Sequence, residues 1–167
     1  MEAHLKNILR YACFSYTTLS DERLYGYAHL LTERMLLVHL PALIKEIGTF
    51  PDSEVLMRIP LIAYDEELPL VRTLWSTMFR LAPELQAAFT IPDLRIIRDL
   101  VINGHGWRVL PDYHCADAFA QGQLVTPTRI GSAPTNNLYL VWDKRKLNHG
   151  QNARMREIVL GNFPIHC

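Results

Sequence analysis

Four groups of residues in this 167-residue chain have types and spacings that invite chemistry. Gly104-His105-Gly106 sets an imidazole between two glycines, as a dinucleotide-binding loop would need. That fingerprint requires G-x-G-x-x-G after a strand and opening a helix. Here the glycines follow a helical pattern, open a strand-like run and have Val109 at the sixth position, so the reading fails on order and on residue type. His105, His114 and Cys115 carry metal-ligating atoms, but their spacing matches no standard zinc pattern, and no metal site is expected. Asp65-Glu66-Glu67 offers carboxylates for acid–base work. The plainer role for acidic residues beside a helix start is to complement its positive end. Gly131-Ser132-Ala133 is not the G-x-S-x-G elbow of a hydrolase, and no Walker A loop is present. No nucleophile, base and orienting group converge, so neither an enzyme nor a cofactor is expected.

The elements around these groups follow a repeated grammar. Residues 11–16 read as a strand, and 34–39 (RMLLVH) as a strand covered on both faces. Residues 19–26 read as irregular, 41–47 as a helix opened by Pro41, and 49–54 as a loop. Then come a buried strand over 61–64, an amphipathic helix over 69–80 and a strand over 87–91. Asp93 is placed to cap a helix over 94–103, with Leu94, Ile97, Leu100 and Val101 on one face. Gly104 sits where a left-handed C-terminal residue is wanted. A strand over 107–110, a helix over 113–121, a short strand over 124–126, a linker over 128–134, a strand over 137–142 and an amphipathic helix over 151–160 complete the chain. Alternation at this spacing implies an α/β protein with mostly parallel sheets. Two crossings between lobes would leave a hinge and a cleft. Ligands bind outside the carboxyl ends of strands in such sheets, which draws Tyr64, Asp65 and Asp93 to one cleft, with residues 15–18 (SYTT) near the hinge.

Composition narrows the classes. Lys and Arg number 17, as do Asp and Glu, so the formal charge is zero and the basic excess of a nucleic-acid-binding module is missing. The densest basic group, Lys144-Arg145-Lys146, reads as a solvated turn. Trp75, Trp107 and Trp142 lie in apolar runs and read as core. Three widely spaced cysteines, Cys13, Cys115 and Cys167, do not form a disulfide framework and suggest a reducing, cytoplasmic setting. The N-terminal residues do not read as a signal peptide, and no apolar run approaches a membrane span.

Thr32-Glu33-Arg34 with MLLV, then PLIAYDEELPLVRTLW, PDLRIIRDLVINGHGWRVLPDY, QGQLV and NNLYLVW resemble, in order and spacing, the effector-binding (substrate-binding) domain of LysR-type transcriptional regulators. The likeness runs over nearly the whole chain. It implies a periplasmic-binding-protein-like fold of two α/β lobes, with residues 1–37 and 127–167 in a partial first lobe and 38–126 in the second. It implies a small-molecule effector in the cleft, touching Thr17, Thr18, Tyr64, Asp65, Asp93, His105, Gly106 and Trp107. It also implies a homo-oligomer. The family's winged helix-turn-helix and the first strand–helix–strand of its first lobe have no counterpart here, which implies a module truncated at its N-terminus. DNA would be reached only through the missing domain. A stand-alone small-molecule-binding protein without a DNA role is the alternative.

Overall fold

The computed structural model describes residues 12–15, 21–48, 51–80, 84–127, 133–146 and 150–162. In chain order these form β1 (Ala12–Ser15), β2 (Tyr25–His39), a 3-10 turn (Pro41–Leu43), α1 (Ile44–Ile47), α2 (Ser53–Arg58), β3 (Ile62–Ala63), α3 (Pro69–Phe79), β4 (Phe89–Thr90), α4 (Leu94–Ile102), β5 (Trp107–Pro111), α5 (Asp112–Ala120), β6 (Thr135–Asp143), a 3-10 turn (Lys144–Lys146) and α6 (Gly150–Asn162). The chain divides into two compact units, residues 1–33 with 136–167 and residues 34–135.

In the first unit the strand order is β1-β6-β2. β1 runs antiparallel to β6, with Ala12 opposite Trp142 and Ser15 opposite Tyr139. Gly26 of β2 lies against the indole of Trp142, where an added Cβ would come within 2.5 Å of the ring. Only glycine admits that approach. The expected irregular stretch before residue 26 is cut short, because β2 already begins at Tyr25 and adds nine residues to the expected strand. The basic trio forms the turn expected of it. Lys144 Nζ donates to the Glu22 carbonyl at 2.6 Å, and Arg145 pairs with Asp143 at 2.6 Å. α6 has no fully buried residue, but its half-buried positions, 152, 153, 156, 159 and 160, share one face, and Arg156 lies over the Trp142 ring at 5.3 Å.

The second unit carries a mixed sheet, which corrects the expectation of mostly parallel sheets. β3 and β4 are parallel, and Leu61 pairs in parallel with Trp107 at the start of β5. β2 then runs antiparallel to β5, from Met35 opposite Pro111 to His39 opposite Trp107, and His39 bridges Val125 in the same antiparallel sense. β2 delivers the chain into this unit rather than leaving one of its helices, so it is free of the crossover rule that makes β3, β4 and β5 parallel.

Side chains alternate across this sheet and fill two cores. One face packs Met35 and Leu37 of β2, Leu61 and Ala63, and Trp107 and Val109 of β5 against Leu56 of α2 and Val71, Leu74 and Trp75 of α3. The other packs Leu36 and Val38, Ile62 and Leu110 against Ile97 and Val101 of α4 and Cys115 and Ala118 of α5. A loop was expected over 49–54, yet Asp52 caps α2 by accepting the Glu54 N–H at 3.1 Å. No described helix is long and apolar enough to cross a membrane.

Candidate functional site

Three of the expected site residues stand together at the carboxyl edge of the parallel strands in the second unit. Tyr64 and Asp65 follow β3, and residues 91–93 follow its parallel neighbour β4, with the Ile91 N–H donating to the Ala63 carbonyl at 2.8 Å. Tyr64 is 42% exposed. Asp65 Oδ1 accepts the Leu68 N–H at 2.8 Å, and Arg72 Nε donates to the Glu67 carbonyl at 2.8 Å, so the acidic turn is tied at both ends. That tie holds Leu68 in a left-handed conformation (φ 54°), rare for a branched side chain and offset here by its complete burial.

Asp93 caps α4 as expected, accepting the Arg95 N–H at 2.9 Å. It also binds the Arg95 guanidinium through both oxygens, at 2.8 and 3.2 Å. The Arg95 side-chain hydrogen bond, helped by the backbone one, lowers the Asp93 carboxyl from 3.8 to about 2. The helix start that could have welcomed an external anion is therefore occupied by this chain's own carboxylate.

His105 and Gly106 lie at the opposite edge. β5 runs parallel to β3, so the turn that leads into β5 sits beside the residues that lead into β3. The Trp107 N–H donates to the Pro60 carbonyl at 3.0 Å. His105 is exposed, with its N–H donating to the Leu100 carbonyl at 3.1 Å as part of the α4 C-terminal turn. At Gly106 (φ 150°) a Cβ would come within 2.1 Å of the Pro60 oxygen, so the residue serves a close backbone crossing. Trp107 is fully buried, stacks 6.1 Å from Trp75, and donates its indole N–H to the Leu56 and Ile59 carbonyls at 3.0 and 3.2 Å. It braces the core and presents nothing to a ligand at the rim. Thr17 and Thr18 lie outside the described residues.

A cavity of about 470 Å³ also opens at the amino edge, with Leu56, Ile59, Leu61 and Leu85 along its wall and Arg72 and Glu84 among its polar groups.

Sequence reasoning missed Arg108. It lies in the middle of β5, is 1% exposed and donates through Nη1 to the Ile62 carbonyl at 3.1 Å. Its Nε has no hydrogen-bond partner. Burial lowers its pKa to about 10, and the charge of Asp65 works in the other direction. The signal was available, since Arg108 is the one charged residue in the WRVLP strand.

Residues 12–164 match the family described as the LysR substrate binding domain. Over 129 residues the chain is 31% identical to the HTH-type transcriptional regulator AbaB of Streptomyces antibioticus, an alignment covering 75% of this chain and 43% of that protein. The chain thus spans less than half the length of its curated relative. The C-terminal domains of a LysR family protein from Agrobacterium tumefaciens superpose with a TM-score of 0.79 at 15% identity, over 96% of this chain and 75% of that one. Full-length LysG from Corynebacterium glutamicum with bound effector Arg gives 0.75 at 18% identity, over 96% and 55%. ArgP from Mycobacterium tuberculosis gives 0.76 at 18% identity, over the same shares. At these identities the structural likenesses establish the fold, a periplasmic-binding-protein-like α/β architecture, and the sequence matches establish the lineage: the chain belongs to the LysR substrate-binding domain family.

Proposed function

We propose that this chain is the effector-sensing part of a LysR-type transcriptional regulator, and that a small molecule binds it at the carboxyl edge of β3 and β4. The observation that carries the reading is the convergence of Tyr64, Asp65 and Asp93 on that edge, where open α/β sheets take their ligands. His105 and Gly106 act from the other edge by fixing the α4–β5 turn, and Trp107 supports the sheet from within. The family resemblance adds Thr17 and Thr18, which lie outside the described residues, as further effector contacts. Effector binding favours one arrangement of the chain over another, and a homo-oligomer relays that preference to DNA-binding helix-turn-helix domains outside these residues. The chain carries out no catalysis.

Thermal melting of the isolated chain with L-arginine and a panel of small carboxylic and amino acids tests the reading. A bound effector raises the melting temperature in proportion to the logarithm of its concentration. Amide shifts mapped for the strongest ligand are expected at residues 64–68 and 91–95. Shifts confined to Ile59 and residues 84–86 would move the site to the amino-edge cavity.

A further inference from the structure

We propose that Arg108 anchors a carboxylate of the effector, and that the effector is a monocarboxylate or a zwitterion rather than a polyanion. This rests on the effector-binding reading and specifies its chemistry. A guanidinium presents five N–H donors in a rigid planar fork. At Arg108 one hydrogen bond goes to a carbonyl, and Nε faces no acceptor at 1% exposure. A cation so buried and so thinly partnered is less favourable than an apolar side chain of similar volume. An incoming carboxylate would reverse that balance by accepting two parallel N–H bonds from the fork.

The position suits the role. Arg108 holds the Ile62 carbonyl, Asp65 is the charge that acts on it, and the exposed Tyr64 lies between them in sequence. The guanidinium therefore lies against β3, two residues before the turn over residues 64–67, and at 1% exposure a ligand would reach it only if that turn opened. Asp65 has one oxygen committed to the Leu68 N–H, so it cannot saturate the fork. Asp65, Glu66 and Glu67 follow β3 and Tyr64 directly, so each negative charge on a ligand held by Arg108 meets repulsion there, which favours a single carboxylate accompanied by a cationic group over a polyanion.

The test uses the chain as wild type, Arg108→Met and Arg108→Lys. The probes are sodium acetate and sodium citrate, with sodium chloride at matched ionic strength. Arginine Nε resonances and melting temperatures are the readouts. Acetate is expected to shift the Arg108 Nε signal saturably in the wild type, with citrate weaker. Arg108→Met is expected to melt no lower than wild type without ligand and to lose the acetate response, while Arg108→Lys keeps part of it. Acetate binding that persists in Arg108→Met, or that shifts residues 64–68 and leaves Nε unmoved, refutes the anchor and leaves the effector site standing. If Arg108→Met does not fold, the wild-type Nε signal decides alone. A wild type that answers neither acetate nor any member of the metabolite panel refutes both.

Discussion

Gly106→Ala offers a sharp test of the packing that holds the α4–β5 turn. The new Cβ would lie 2.1 Å from the Pro60 oxygen, a backbone atom that cannot rotate away. Relief requires the two segments to part by about 1 Å, since ordinary carbon–oxygen contacts lie near 3.3 Å. That motion stretches the Trp107 N–H bond to Pro60, now 3.0 Å, and draws the indole away from the Leu56 and Ile59 carbonyls. Backbone strain of about 1–3 kcal/mol and one or two weakened hydrogen bonds at about 1 kcal/mol each give an expected loss of about 3–4 kcal/mol. Each kcal/mol moves the melting temperature of a chain this size by about 2–4 °C, so the fall is roughly 10 °C. Gly122→Ala is the control. Gly122 has φ +67° and nothing within 4 Å of an added Cβ, so only the left-handed penalty of about 1–2 kcal/mol applies. Urea unfolding followed by tryptophan fluorescence measures both. Equal midpoints for the two variants would mean that the Pro60 contact is not rigid, and the reasoning would fail.

Other outcomes follow from individual side chains. Trp107→Phe keeps most of the stacking on Trp75 but strips the donor from two carbonyls, and is expected to cost about 1–3 kcal/mol by denaturant titration; a cost below about 0.5 kcal/mol would show that the two bonds carry little. Asp93 is expected to titrate by carboxyl NMR at about 2, so its stabilisation is fully in place above 3.8 and is lost progressively as the pH falls from there through about 2. Arg95→Ala should return that midpoint toward 3.8, and a wild-type midpoint already there would contradict the capping geometry. His39 is buried and held neutral by desolvation, so the unfolded chain takes the proton first and stability declines as the pH falls through 6.5. His39→Gln should flatten that decline. Cys115 is fully buried and its thiol is pushed up to about 12, so in a chain carrying Cys13→Ser and Cys167→Ser it should resist alkylation at neutral pH until denaturant is added.

The parts of the fold legible in the sequence are those set by local rules. The Asp93 cap, the left-handed Gly104 and the strand–helix rhythm from residue 60 onward depend on neighbours a few positions away, and all are present. The first half of β2 was not legible because its partner is β6, about a hundred residues further on, and YGYAHLLTE carries no clean alternation. α2 was missed for a similar reason, since six residues make no periodic pattern and Leu56 is buried only by distant side chains. The candidate site suffered from strand direction. A turn before a strand and a turn after one look alike in composition, yet they fall on opposite edges once the strands run parallel. Tyr64, Asp65 and Asp93 came together on that account, and His105 and Gly106 did not.

The indole of Trp107 reaches across 51 residues to the last turn of α2. A helix of six residues is far below the length that persists alone in water. The segment over 53–58 therefore has no order of its own to contribute early in folding, and it settles only after β5 has delivered the tryptophan. The same dependence acts in reverse once the chain is native. Backbone amides at Leu56 and Ile59 should exchange with solvent no faster than those of β5, because the helix and the strand open as one cooperative unit.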